Sequence, residues 1–169
     1  MRSLRACDIR AEGPIVRWDE AMPLGNGALG CLIWGASDAL RFSVDCAGLW
    51  DTRCPPRDES FDYQNLVRLA REGKTEEIRR VFDGPYAQPT PTKLPAGKLV
   101  LRGIKNQPFS CEVNLYTAKA CFKFCEGCVT VYLCADMPVG IICADKSMGH
   151  LALEVCAPAF QQDSSRAYA

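Results

Sequence analysis

The chain has 169 residues, 48% of them hydrophobic and 24% charged, a balance that suits one globular domain and excludes intrinsic disorder. Twenty basic residues cancel twenty acidic ones, so no net field draws the molecule to nucleic acid, anionic lipid or acidic substrates. No apolar run approaches the roughly 20 residues of a membrane helix, and the opening MRSLRACDIRAEG lacks the roughly 7–15-residue apolar core of a signal peptide, so a cytoplasmic protein is predicted.

Residues 13–19 favour extended structure and predict a first strand. The stretch WDEAMPLGNGALGCLIWG, residues 18–35, then packs a proline, four glycines and two tryptophans around the start of another strand. Gly25, Gly27 and Gly30 bracket Asn26, a pattern that allows positive φ and close backbone approach and so predicts a tight structural loop. Residues 29–34 continue it as a strand. Leu40, Phe42 and Val44 alternate with Arg41, Ser43 and Asp45, the period of a half-buried strand.

Between residues 57 and 84 the period changes. Leu66, Leu69 and Ala70, then Ile78, Val81 and Phe82, recur at helical spacing on either side of Gly73, which predicts two short helices inserted between strands. Thr75 followed by Glu76 and Glu77 reads as a helix start, with a capping hydroxyl and carboxylates at the positive end of the dipole. Residues 84–97 hold four prolines, cannot continue a helix, and predict an ordered surface loop.

The second half reads as a meander. If Glu126 and Gly127 form a two-residue turn, Phe124 faces Val129, Phe122 faces Val131 and Ala120 faces Leu133 on one side of a hairpin. The other side then carries Lys119, Cys121, Lys123, Thr130 and Tyr132. The eleven cysteines are an odd number, so they cannot all pair internally, and in a reducing compartment they behave mostly as small apolar thiols. Cys121, Cys125 and Cys128 offer the sharper alternative, because a Cys-x-x-Cys spacing serves zinc and redox sites. It lacks a second half, His150 is the only histidine, and the hairpin sets Cys125 directly opposite Cys128, so no metal and no cofactor are predicted.

Residues 18–35 resemble the opening motif of the N-terminal β-sandwich domain of glycoside hydrolase family 95, with its family-65-type relatives. Trp18, Glu20, Ala21, Pro23, Leu24, Gly25, Asn26, Gly27, Leu29, Gly30 and Gly35 stand at the matching places. Leu115, Thr117, Ala118, Gly127, Val129, Ala135 and Pro138 resemble a second frame in that domain, in which the Leu-x-Thr-Ala run opens a strand. The match runs in order over about residues 14–155. It implies an antiparallel β-sandwich over residues 1–158 with a two-helix insertion, an irregular tail over residues 159–169, and a chain that stops before the family's C-terminal (α/α)6 catalytic barrel.

The resemblance implies an inverting hydrolase of α-L-fucosides or α-L-galactosides whose acid and water-positioning residues lie in that barrel, so none of this chain's residues is assigned as catalytic. Partners are then the barrel and a glycan substrate. The Gly-Asn-Gly loop around Asn26 and the segment Leu49, Trp50, Asp51 are the implied contact elements. Cys46, Ala47 and Gly48 replace residues usually more polar in the family, and indicate a divergent branch.

Inversion needs a general acid and a base roughly 6.5–9.5 Å apart. The acidic clusters are Asp19 with Glu20, Asp45 with Asp51, and Glu76 with Glu77, and each also reads as plain surface charge. Trp18, Trp34 and Trp50 are either buried packing residues or platforms on which sugar C–H faces stack. A stand-alone sandwich that binds carbohydrate or protein is therefore the second reading, and a cysteine-based metal or redox protein the third.

Overall fold

The computed structural model describes residues 7–36, 38–53, 59–84, 92–105 and 109–158. It falls into two units, one made from the chain up to residue 49 together with residues 95–158, the other from residues 50–94. In chain order the strands are β1 (Ile9–Glu12), β2 (Met22–Gly25), β3 (Leu29–Ala36), β4 (Ala39–Cys46), β5 (Trp50–Asp51), β6 (Thr92–Lys93), β7 (Gly97–Arg102), β8 (Ser110–Asn114), β9 (Lys119–Phe124), β10 (Gly127–Leu133), β11 (Gly140–Ala144) and β12 (Ala152–Cys156).

The first unit is an antiparallel β-sandwich. One sheet has the order β1-β8-β9-β10-β11 and the other β12-β7-β4-β3-β2. Period-two alternation puts Ile33, Leu40, Phe42 and Leu101 of one sheet, with Cys111, Val113, Ala120, Phe122, Val129 and Val131 of the other, into one buried cluster. Connecting segments close it with Ile15, Ile104 and Met148, and with Phe109, whose ring lies 5.8 Å from Phe122 and 5.3 Å from Phe124.

The second unit pairs β5 with β6 and holds α1 (Tyr63–Arg71) and α2 (Thr75–Ile78), the latter continuing into a wide helical turn over Arg79–Asp83. Asp62 caps α1, its side chain accepting from Asn65 N at 3.0 Å. Leu69 and Val81 are buried, and the rings of Phe61 and Phe82 stand 5.0 Å apart. The predicted cap at Thr75 is a correction: Thr75 is already helical, its neighbour Lys74 occupies the cap position, and no side chain caps there.

The expected strand over residues 13–19 is also displaced. Pro14 has no N–H to give a ladder, and only Ile15 bridges, to Gly35, before Trp18–Glu20 turns as a short 3-10 helix. The true first strand is Ile9–Glu12. Leu115, Thr117 and Ala118 form the turn before β9 rather than opening it, with Ala118 at φ 52°. The loop expected over residues 84–97 includes β6 and the start of β7, while residues 85–91 lie outside the described residues, as does the predicted tail at 159–169.

The hairpin differs in register but not in faces. Phe124 pairs with Gly127 and Phe122 with Val129, so Cys125 and Glu126 make the turn. A shift by two residues keeps every side chain on its expected side. The cause is tertiary: a Cβ on Gly127 would sit 2.6 Å from Ser147 Oγ and 3.0 Å from Asp145 Cβ. Asp145 fastens the strand start there, accepting from Cys128 N at 2.9 Å and donating its own N–H to Cys128 O at 3.0 Å. The glycine serves close approach, and Cys125 does not oppose Cys128.

Candidate functional site

The glycine-rich motif folds into the β2–β3 hairpin, with Gly25 paired to Gly30 as the last rung. Only Gly27 of these three glycines has positive φ, at 87°. Gly25 and Gly30 are ladder residues at which an added Cβ would meet nothing closer than 3.7 Å and 3.9 Å, which corrects the expectation that all three serve a strained loop.

Asn26 organises the tip. Its Oδ1 accepts from Ala28 N at 3.0 Å and Leu29 N at 2.7 Å, while its Nδ2 donates to Cys134 O at 2.6 Å and Met137 O at 3.0 Å. Those carbonyls follow β10 in the opposite sheet, so one side chain ties the ends of the two sheets together. An amide has two donors and two acceptor positions. All four are used inside this unit, which leaves Asn26 no hydrogen-bonding capacity for an external partner.

Trp18 is 64% exposed on its short turn. Beside it Arg17 forms a bidentate pair with Asp19, whose carboxyl is held below its ordinary range by the guanidinium. In the second unit Trp50 is 54% exposed, with Lys93 Nζ 5.9 Å from the ring centroid. Trp34 alone of the three is half-buried, donating Nε1–H to Ser43 Oγ at 3.1 Å under the Arg41 guanidinium.

Asp51 is the most enclosed acidic candidate, its side chain 15% exposed, and Arg53 occupies both oxygens. Nε donates at 3.0 and 3.2 Å, Nη2 at 2.6 Å, and the Arg53 backbone N–H at 3.1 Å. These bonds push the Asp51 pKa down from 3.8, and a group stabilised as carboxylate is a poor proton donor near neutrality. Glu76 pairs with Arg79 at 3.0 Å, and Asp45 Oδ1 accepts from Cys46 N at 2.9 Å. Asp19 and Asp51 are both held below their ordinary range by arginine partners, the opposite of what a general acid needs.

No protein-family model matches the chain, and no curated protein matches it either.

The outer face of the β1–β11 sheet carries a polar row that the sequence pattern foreshadowed only in part. Arg10, Glu112, Cys121, Thr130 and Cys143 stand side by side across five strands. Arg10 Nη2 reaches Glu112 Oε1 at 3.3 Å. Cys121 and Lys123 help line a groove of about 270 Å³ with Arg10, Glu12, Ser110 and Glu112. Among the described residues, no three His, Cys, Asp or Glu side chains converge to hold a metal ion. Sequence reasoning missed Asp8 and Asp145, whose bonds are to backbone N–H groups of Leu115 and Cys128. Backbone partners leave no mark in sequence.

Proposed function

We propose that this chain is the non-catalytic β-sandwich part of a glycoside hydrolase similar to family 95, working in the cytosol and supporting a helical-barrel domain that acts on α-L-fucosides or related glycans. The observation that carries the reading is the folded form of residues 18–35. The motif on which the resemblance rests makes a hairpin tip stapled across an antiparallel sandwich, a fixed platform on which a neighbouring domain can rest. Asp19 and Asp51 are held as carboxylates by arginine partners, which supports a reading with the acid chemistry in another domain.

The test is complementation. A family-95 barrel expressed without its own sandwich is mixed with this chain, and hydrolysis of an aryl α-L-fucoside is followed. Support predicts that activity appears only in the mixture and that this chain alone gives none. Turnover by the chain alone, lost with Asp51→Asn, would place the site here instead. Trp18 and Trp50, both more than half exposed, favour the second reading of a carbohydrate-binding module. In that case fucosylated oligosaccharides quench the indole fluorescence with no barrel present.

A further inference from the structure

We propose that Cys121 and Cys128 form a redox-active dithiol on the outer face of the sandwich, closing reversibly to a cross-strand disulfide by exchange with a small-molecule disulfide. Cys121 on β9 stands directly opposite Thr130 on β10, and Cys128 lies two residues before Thr130 on that strand and same face. The two thiols are thus diagonal neighbours. Cys128 Sγ is 3.8 Å from Thr130 Oγ1, which places it over the same spot that Cys121 faces. Burial first, and then the nearby Cys128, hold the Cys121 thiol above its ordinary pKa.

Access distinguishes this pair from the core thiols. Cys31 and Cys111 are buried, and burial pushes each up to about 11, where little thiolate exists near neutral pH. Cys121 and Cys128 are only half-buried, and Cys121 opens onto the 270 Å³ groove. Arg10, Lys123, Glu12 and Glu112 give that groove charges of both signs, which suits a zwitterionic peptide disulfide.

The exchange balances. One thiolate attacks the small disulfide, forming a mixed disulfide and expelling one thiolate, which takes up a proton. The second cysteine then loses its proton and attacks the protein sulfur of that mixed bond, releasing the other small thiol. Two protein thiols are oxidised to one disulfide while one external disulfide is reduced to two thiols. Diagonal strand neighbours start about 7–8 Å apart at Cα, beyond the common disulfide range of about 4.4–6.8 Å. The bridge therefore pulls β9 and β10 closer, and a bond closed against the sheet's own spacing is readily reduced, as a reversible rather than structural disulfide should be.

The whole chain is incubated with graded oxidised glutathione, quenched in acid, alkylated and cut with trypsin. Cleavage after Lys119, Lys123 and Lys146 puts Cys121 in peptide 120–123 and Cys128 in peptide 124–146. We expect peptide 120–123 to leave the alkylated pool and to be recovered linked to 124–146. Cys143→Ser keeps that link. Cys128→Ser abolishes it and leaves glutathione on peptide 120–123, while continued resistance of Cys31 to alkylation before denaturation reports that the variant is folded. Peptide 120–123 staying alkylated in the unaltered chain, or the link persisting in Cys128→Ser, overturns the proposal.

Discussion

An asparagine bonded on all four sides of its amide leaves stranded groups behind whenever it is replaced, and the substitutions at Asn26 differ in which ones. Ala removes everything: two loop N–H groups lose their acceptor, and two carbonyls in the segment after β10 lose their donor. A loss of about 2 kcal/mol is expected, read from the denaturant midpoint. Asp keeps the acceptor for Ala28 and Leu29 but turns a carboxylate oxygen toward the carbonyls of Cys134 and Met137. Asn26→Asp should therefore be no more stable than Asn26→Ala. A clear rescue by Asp would mean that the turn cap dominates and the cross-sheet staple contributes little. Gly27 beside it has open space for a side chain, so its constraint is the backbone alone, about 1–2 kcal/mol for a β-branched residue at its φ of 87°.

At the scale of elements, the short β5 strand and the residues after it are organised by charge. The guanidinium and backbone N–H of Arg53 hold the Asp51 carboxyl below 3.8 in the folded chain. A depressed carboxylate stabilises the fold fully above its unfolded pKa, and that contribution fades as pH falls through the lower folded value. Carboxyl-resolved NMR titration should thus place Asp51 below 3.8, and Arg53→Gln should return it toward 3.8. An unmoved titration would show that the pair does not persist in solution. Periodicity made the β3 and β4 strands and both helices legible in the sequence, because in each the buried side chains recur at the period of the element. It failed at β1, whose apolar face is only Ile9, itself exposed, and the half-buried Ala11, too short a pattern to announce a strand. It placed the β9–β10 turn one residue late and so shifted the pairing by two, because Gly127 answers to Ser147 and Asp145, distant residues that no local pattern reveals. At the candidate site the motif around Asn26 was visible, while the carbonyls that Asn26 grips were not.

Across the sandwich the core is lopsided. The edge strand β2 approaches β8, β9 and β10 of the facing sheet, so burial is deepest at that side. Along one row of the other sheet, Ile33, Phe42, Leu99 and Val155 lie in register, yet exposure rises from 0% at Ile33 to 76% at Val155 on the opposite edge strand, β12. Leu153 repeats the pattern at 53%, in register with Leu101 and Leu40. One chemical change made in the buried centre of the core and at the exposed end of this row measures the difference. Val129→Thr puts a hydroxyl into the fully buried centre and should cost about 1–3 kcal/mol, with the same volume and no new cavity. Val155→Thr makes the identical change on β12 and should alter stability by less than about 0.5 kcal/mol, because water already reaches that side chain. Both are read from denaturant midpoints at two protein concentrations. If the two losses match, β12 is covered in solution, and a midpoint that rises with protein concentration in the unaltered chain but less in Val155→Thr would identify that cover as a second copy of the chain.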